Sequence, residues 1–427
     1  MIIAVAIFAI SVVLIVWGKV HRVYIGLVSI ATLIAVGILP LDKAPKYLDV
    51  NVVGLLVGMS IITYYLEMSG LAGWISSKIV KITGFRSMHA LITLVLLGSL
   101  ISAILDNVST TLLLAPIAIS LARAFEVSAV PYVIGVALGS NLVGAALMIG
   151  DPPSMMVASA LNMSFLDFIV FEGKPSIFFM IMASCPVAAL TLTITAKKYL
   201  KNSRSSSFSI ELEPIKDKAL LVEAIGVLAV VIALLSIRNI YGIPLWFPPI
   251  MGALILLALR APRDRSLKKV IKGIDWKSTV FVASVLLMVG GLAETGFIDA
   301  VASMLCGLCK SDIMVASTTI IWISVLFSAF IDNIPYFAAM IPVVMKLSTT
   351  SSMDVHTLMW ALLIGGSLGG NCTYIGASAN AIAVGLLEKK GFKVSFVEFM
   401  RFGVPYTVAA ILVGEVLHYL IFIRPNF

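Results

Sequence analysis

Ten apolar stretches divide the chain, and each is close to the length of a membrane-spanning helix. A helix that crosses the hydrocarbon core of a bilayer needs about 20 mostly apolar residues. The first stretch has no basic start and no small-residue cleavage site, so we expect a retained span and not a signal peptide. The predicted spans lie near residues 2–17, 23–39, 51–69, 129–150, 176–196, 220–237, 244–259, 278–295, 355–375 and 403–422.

Two further apolar stretches, 88–125 and 312–350, are too long for single spans. A polar cluster interrupts each of them midway, at residues 105–111 and 331–335. A continuous helix would place these polar groups in the middle of the membrane. A re-entrant hairpin would place them at its tip, where non-helical backbone is tolerated if it lines a cavity in the protein. We therefore predict one re-entrant hairpin in each stretch.

Two other polar clusters contain glycine or proline, residues that break helices. They occupy residues 150–154, which read Gly-Asp-Pro-Pro-Ser, and residues 376–380, which read Gly-Ala-Ser-Ala-Asn. We predict broken helices over 129–163 and 355–387. A helix that breaks in the membrane exposes backbone groups that bind an ion or a polar solute.

The segment 51–170 aligns with the segment 278–402, which indicates an internal repeat. Each half contains five spans and one hairpin, and because five is odd the two copies have opposite orientations. The prediction is an all-α polytopic membrane protein with two inverted repeats, 1–198 and 220–427, joined by a cytoplasmic linker at 199–219. The landmarks that match in the same order are Asp106 with Asp332, Pro116 with Pro342, Asn141 with Asn371, and Ser164 with Ser395.

Composition and charge support a chain that is dissolved in a bilayer. Hydrophobic residues make up 60% of it and charged residues 12%, against about 25% charged residues in soluble proteins. The net charge of +8 does not indicate nucleic-acid binding, because 23 of the 30 basic residues fall in loops on one side of the predicted topology. By the positive-inside rule that side is cytoplasmic, so both termini face outward. We expect a multi-pass protein of the plasma membrane.

Three acids, Asp106, Asp151 and Asp332, lie inside the predicted membrane region. A charge at the bilayer centre costs about 2.5–3.5 kcal/mol on insertion scales, so such acids mark ion or proton pathways. Helix capping is the alternative role, since Asp is favoured at that position, and both roles are compatible. Glu67 and Glu294 lie at the ends of matching spans. Their charge is as compatible with a position at the edge of a loop as with a role in the site.

Amides, hydroxyls and glycines surround these acids. They bind ions or hydroxylated solutes, or serve as hydrogen bonds between helices. Na⁺ would be held at Asp106, Asn107, Asp332 and Asn333. The predicted site contains, besides the three acids, Asn107, Ser109, Thr110, Asn141, Gly150, Asn333, Asn371, Thr373, Gly376, Ser378 and Asn380.

Other chemistry is weakly represented in the sequence. Cys306 and Cys309 form a CxxC pair without a second pair or a histidine beside it, and Cys372 lies near the predicted site; we interpret all three as small residues of helix faces. A nucleotide-binding glycine loop is absent, so an ion gradient is the expected energy source. No cofactor is expected beyond the coupling ion, H⁺ or Na⁺. An associated ATPase is compatible with the sequence, but nothing in it implies one.

Three motifs resemble the ion-transporter superfamily over about residues 20–425. They are the runs 105–116 (LDNVSTTLLLAP), 149–154 (IGDPPS) and 330–335 (FIDNIP). This superfamily includes arsenite-efflux permeases, the P protein, NhaD-type antiporters and divalent anion/sodium symporters, and the first two runs look like the branch of arsenite permeases and P proteins. The resemblance implies moving hairpins and broken helices, a scaffold of the remaining spans, and a homodimer.

The acids at the predicted site distinguish among the functions within this superfamily. Dicarboxylate symporters carry Ser-Asn-Thr where this chain has Asp106, Asn107 and Val108, and carboxylates repel a dianion but attract H⁺ or Na⁺. The sequence therefore favours a proton-coupled antiporter that exports a neutral metalloid hydroxide such as arsenite or antimonite. The alternatives are a Na⁺/H⁺ antiporter, an anion or dicarboxylate symporter and, from another class, an intramembrane aspartyl enzyme.

Overall fold

The computed structural model describes residues 1–17, 19–71, 73–75, 86–200, 214–260, 274–309 and 312–424. Within these ranges the regular structure is helical, apart from one antiparallel pair of two-residue strands, β1 (Val170–Phe171) and β2 (Lys174–Pro175). The prediction of an all-α membrane protein is thus confirmed. Most of the predicted linker, residues 201–213, lies outside the described residues. The same holds for most of the segment 70–82, whose amphipathic sequence predicts an interfacial helix.

The described residues of the first half include the following helices. They are α1 (Ile2–Trp17), α2 (Arg22–Ala35), α3 (Ala44–Tyr47), α4 (Val50–Met68), α5 (Ser87–Ser102), α6 (Asn107–Ala124), α7 (Val130–Gly144), α8 (Pro152–Ala160) and α9 (Ile177–Thr195). Single 3₁₀ turns form at Leu166–Phe168 and Lys197–Tyr199. The strands β1 and β2 lie between α8 and α9. The tight turn between the two strands is formed by Glu172 and Gly173, which both adopt positive φ.

The described residues of the second half add a further series of helices. They are α10 (Lys218–Tyr241), α11 (Phe247–Arg260), α12 (Trp276–Glu294), α13 (Phe297–Cys309), α14 (Ile313–Ser328), α15 (Asn333–Ser351), α16 (Val355–Gly369), α17 (Ser378–Lys389) and α18 (Phe396–His418). A 3₁₀ turn, Gly370–Cys372, follows α16, and a π-helical turn, Tyr419–Ile423, extends α18.

Each predicted span contains a helix, but the helices differ in length. Among the described residues six helices are long and apolar enough to cross a membrane: α4, α6, α9, α10, α12 and α18 with its π-helical extension. The predicted spans outside that group form the helices α1, α2, α7, α11 and α16, of 14 to 16 residues. For α7 and α16 the shortness reflects the predicted breaks, since α8 and α17 follow them after short non-α segments.

The two halves repeat one order of helices with a constant offset. The starts of α4, α5, α6 and α8 lie 226 residues before the starts of α12, α14, α15 and α17. The pairs α5–α6 and α14–α15 are the two helical hairpins, each with a four-residue turn at its tip. The opposite orientation of the halves across a membrane stays a prediction.

The two halves of the chain do not pack as separate units, because helices of each half pack on helices of the other half. Helix α2 of the first half packs on α12 of the second, and α11 of the second half packs on α4 of the first. Helix α8 packs on α15, and α17 packs on α6. The last helices of the halves, α9 and α18, pack along each other. This reciprocal exchange joins both halves into one interlocked body.

The core of the molecule lies around α7 and α16. Every residue of α7 is buried, as expected for a helix that is apolar around its whole circumference. Glycines let backbones approach closely there: a Cβ added at Gly139 of α7 would clash with the carbonyl of Val95, and one added at Gly365 of α16 would clash with the carbonyl of Ile321. These equivalent contacts show that the predicted match of Asn141 with Asn371 is wrong by one helical turn, because a 226-residue offset pairs Asn141 with Ser367.

Candidate functional site

Both hairpin tips and both helix breaks meet at one cavity of about 170 Å³, the inner cavity. It adjoins a larger outer cavity of about 860 Å³, which shares Asp106, Asp332 and Ser378 with it. The predicted site residues that line the inner cavity are Asp106, Asn107, Asn141, Gly150, Asp151, Asp332, Asn333, Gly376 and Ser378. Ser109 lines the outer cavity.

The first hairpin tip is shaped by the cap of α6. One carboxylate oxygen of Asp106 accepts hydrogen bonds from the backbone N–H groups of Val108 and Ser109, at 3.0 and 2.9 Å. Asn107 accepts a hydrogen bond of 2.6 Å from the Ser102 hydroxyl across the turn. It also lies against Gly144, where an added Cβ would be 2.7 Å from the Asn107 oxygen. Capping thus fixes the Asp106 carboxylate at the cavity wall.

The second hairpin tip repeats this arrangement and adds a cation. Asp332 caps α15 through the Ile334 N–H at 3.1 Å, and the Ser328 hydroxyl donates to Asn333 at 2.6 Å. The Arg22 guanidinium, at the start of α2, lies 3.1 Å from the Asp332 carboxylate. The two tips therefore share their backbone geometry and differ in charge.

Arg22 connects three elements of the second half. Besides Asp332, its guanidinium donates hydrogen bonds to the hydroxyl of Ser378 on α17 at 2.9 Å and to the hydroxyl of Ser278 on α12 at 3.0 Å. Its central carbon lies 4.9 Å from the centre of the Phe281 ring, a cation–π distance. The side chain is 24% exposed, so the guanidinium borders both protein and open cavity.

The helix breaks place backbone dipoles and one more acid at the cavity. Asp151 is buried and caps α8, accepting a hydrogen bond of 3.0 Å from the Ser154 N–H. Its counterpart before α17 is Ala377, which has no side-chain cap. The first turns of both α8 and α17 line the cavity, where helix N-termini carry partial positive charge.

A buried amide cluster ties the two broken helices together. The Asn141 amide donates to the side-chain oxygens of Asn371 and Asn380, at 3.0 Å in both cases, and Asn371 donates to the Leu138 carbonyl at 2.9 Å. Thr373 accepts hydrogen bonds from the backbone of Ile375 and Gly376. Of the predicted site residues, Asn371, Thr373, Asn380 and Thr110 lie behind the cavity wall.

The charged side chains that line the inner cavity give it a net negative charge. Among the described residues, four carboxylates line it, from Asp106, Asp151, Asp275 and Asp332, together with one basic side chain, Arg22. Glu67 adds a further acid in the outer cavity, beside the Ser109 hydroxyl. Such a site attracts cations and repels free multivalent anions.

Sequence reasoning missed two charged residues of the inner cavity, Arg22 and Asp275, and an acid elsewhere in the predicted spans, Glu415. The sequence signal of Arg22 is its position just before an apolar run. Glu415 lies within a predicted span and accepts a hydrogen bond of 3.1 Å from the Trp322 indole, away from both cavities. The presence of an acid in a predicted span is therefore not sufficient to place that acid in the site.

The remaining candidates lie outside the cavities. Glu294 binds Lys43 and Tyr47. Cys306 contacts the Ser351 hydroxyl, and Cys309 and Cys372 are buried. Among the described residues no three His, Cys, Asp or Glu side chains form a group that could hold a metal ion.

Relatives match along nearly the whole chain. An uncharacterized transporter of Mycobacterium tuberculosis is 30% identical over 431 residues, which cover 99% of this chain and 99% of the relative. The P protein of Homo sapiens is 28% identical over 495 residues, covering 96% of this chain and 59% of the P protein. The predicted similarity to the P protein is thus confirmed.

Solved transporters share the fold. The YdaH transporter of Alcanivorax borkumensis superposes with a TM-score of 0.62 at 13% identity, covering 88% of this chain and 87% of its own. MtrF of Neisseria gonorrhoeae superposes with a TM-score of 0.55 at 14% identity, covering 90% and 84%. At these identities the likeness concerns the fold alone.

A family assignment follows from the sequence profile of the citrate transporters, which matches residues 12–365. That range spans most of the chain, including both hairpins, the first helix break and most of α16. The chain belongs to the citrate transporter family and is a secondary membrane transporter.

Proposed function

We propose that the chain is a proton-coupled antiporter that exports a small uncharged polar solute, of which metalloid hydroxides such as arsenous and antimonous acid are the type. The observation that carries the proposal is the position of Asp106. Its carboxylate lines the same cavity as buried Asp151, whereas the guanidinium of Arg22, which also lines this cavity, is bound to Asp332.

A carboxylate in this position is suited to take up a coupling ion. An unneutralised charge deep in a membrane protein is costly, so uptake of H⁺ or Na⁺ lowers the free energy of the occupied state. Asp106 is held by backbone N–H groups through one oxygen, which leaves lone pairs for a proton or ion. Asn107 and Asn141 supply neutral oxygens beside it.

An uncharged solute fits the remaining groups of the cavity. The hydroxyls of Ser278 and Ser378 and the amide of Asn141 line it, and such groups exchange hydrogen bonds with a hydroxylated solute without a net charge. The outer cavity gives access between the ends of α1, α4 and α12, at His21, Glu67 and Lys277. The predicted basic loops adjoin these ends, so we assign this opening to the cytoplasmic side.

An organic-anion symporter is the second candidate. The family is named for citrate transport, and Arg22 with the N-termini of α8 and α17 offers positive potential at the cavity. Because four carboxylates line the same space, an anion would have to enter with compensating cations. A Na⁺/H⁺ antiporter would use the same acids. The aspartyl-enzyme alternative gains no support, since Asp332 is bound to Arg22.

Replacement of Asp106 tests the coupling role. In proteoliposomes with an imposed pH gradient, Asp106→Asn is expected to reduce arsenite flux to the level of protein-free liposomes, because the amide cannot exchange a proton. Glu415→Gln is the matched control, since it removes an acid of the transmembrane region outside both cavities, and it should keep the flux. Equal flux in Asp106→Asn and the unmutated protein would refute the proposal.

A panel of solutes separates the candidate functions. Proton movement across proteoliposomes is recorded with a pH-sensitive dye after addition of arsenite, antimonite, Na⁺ or citrate. The proposal expects a response to arsenite and antimonite. A response to citrate alone would favour the organic-anion symporter, and a response to Na⁺ alone would favour the Na⁺/H⁺ antiporter.

A further inference from the structure

We infer that the Arg22 guanidinium is a built-in cation that fills one of two equivalent cation positions, so that the coupling ion binds at Asp106 only. This inference rests on the proposed function and specifies its stoichiometry. Arg22 acts through Asp332, because its guanidinium occupies the place that a mobile cation would take.

The equivalence of the two positions follows from matching contacts. At each tip an aspartate caps the second hairpin arm, and the next residue, an asparagine, accepts a 2.6 Å hydrogen bond from a serine five residues earlier in the chain. In each half that asparagine also lies against a glycine at the end of the first broken-helix segment or just past it, Gly144 or Gly370. Both carboxylates line the inner cavity. Without Arg22, the two halves would offer two similar acidic positions.

The groups that hold Arg22 exist in the second half alone. Its hydroxyl partners, Ser278 and Ser378, correspond at the 226-residue offset to Val52 and Pro152, which have no hydroxyl. A guanidinium placed at the first tip would therefore lack these two acceptors. The second tip is built to hold a guanidinium, and the first is not.

The charge of Arg22 is permanent. A guanidinium stays protonated at all physiological pH values, and its fixed fork donates several hydrogen bonds to Asp332 and the two serines at once. The other charged groups that line these cavities are Asp106, Asp151 and Asp275 in the inner cavity and Glu67 and Lys277 in the outer cavity, where His21 is a further titratable group. A mobile cation would have to displace a tethered one from Asp332, whereas in the described part of the chain no basic side chain is bound to Asp106.

Removal of the tethered charge should open the second position. We expect Arg22→Gln to raise the number of coupling ions per solute by one, because Asp332 then takes up an ion as Asp106 does. Arg22→Lys keeps a tethered cation and should keep the original ratio. The double variant Arg22→Gln with Asp332→Asn removes both charges and should also return the original ratio.

The ratio is measured in proteoliposomes as the pH gradient that just stops net arsenite flux against a fixed arsenite gradient. Lys19→Gln is the matched control, since it removes a positive charge from the same loop but not from the inner cavity, and it should leave the ratio unchanged. An unchanged ratio in Arg22→Gln would overturn the inference even where arsenite flux itself is proton-coupled.

Arsenite flux that ignores the pH gradient would refute the proposed function, whereas an unchanged ratio at proton-coupled flux refutes the role of Arg22.

Discussion

Asp106 and Asp332 show what a sequence can and cannot reveal about a single residue. Both were predicted at hairpin tips from the polar clusters around them, and both lie there as helix caps. Their difference depends on Arg22, which is 310 residues away from Asp332 in the chain. No local pattern encodes such a contact, because it arises only when α2 packs on α12.

Asp217 illustrates a charge with a structural role at the start of α10. It accepts a hydrogen bond from the Leu220 N–H at 2.9 Å and lies 2.9 Å from the guanidinium of Arg260, which also contacts Glu223. The Leu220 hydrogen bond first, and the Arg260 contact after it, lower the pKa of Asp217 below its ordinary value of 3.8. The ionised carboxylate therefore stabilises the folded state.

We expect Asp217→Asn to lower the melting temperature in detergent at neutral pH while keeping the helix cap, since Asn also caps well. A lowered pKa means that the stabilisation is complete above the ordinary value and disappears as the pH falls through the lowered value. The difference between the two proteins should thus vanish in strong acid. Asp299→Asn, which breaks an exposed pair with Lys346, is the control with little effect. A deficit that persists unchanged in strong acid would contradict this account.

At the scale of elements, the sequence predicted the helices and their breaks better than their pairing. Helix positions follow from apolar length and from the caps and glycines that stop each helix. The register between repeats failed at Asn141, because glycine-rich runs such as 365–370 align equally well in several ways. The amphipathic pattern of the segment 164–172 predicts an interfacial helix, and this prediction is wrong: the segment forms a 3₁₀ turn and the strand β1, followed by a turn at Gly173.

The second helix break depends on Gly376. An added Cβ there would lie 2.6 Å from the Ser328 carbonyl and 2.7 Å from the Gly370 carbonyl, both rigid backbone atoms. We expect Gly376→Ala to destabilise the fold by about 1–3 kcal/mol, as overpacked sites do, and to reduce transport. Melting temperature and proteoliposome flux measure the two effects.

Gly385 on α17 provides the comparison for this prediction. Among the described residues nothing lies within 4 Å of a Cβ at that position, so Gly385→Ala should leave transport intact and raise helix stability by up to about 1 kcal/mol. Equal melting temperatures for the two alanine variants would show that the break tolerates a side chain.

At the scale of the whole molecule, the structure presents an inner cavity that opens through the outer cavity toward one side. That side carries the helix ends next to the predicted basic loops, including Lys277 at the start of α12. The opposite end of α12 carries Glu294, which binds Lys43. The inner cavity is thus open toward the face that the sequence predicts to be cytoplasmic.

Labelling tests this orientation. In a chain whose four native cysteines are replaced by serine, Lys277→Cys should react with a membrane-impermeant thiol reagent only from the cytoplasmic side of the membrane. Lys43→Cys should react only from outside. Labelling of both positions from the same side would contradict the assigned topology, and the reverse pattern would invert it.

The exchange of α2 and α11 has a consequence for how the protein is made. Helix α2 leaves the ribosome early, but its packing surface on α12 and the acid that binds Arg22 are synthesised some three hundred residues later. During most of translation the charge of Arg22 must therefore stay hydrated at the membrane surface or be shielded by insertion factors. A nascent chain that stops before Asp332 would hold α2 without the acid that pairs with Arg22.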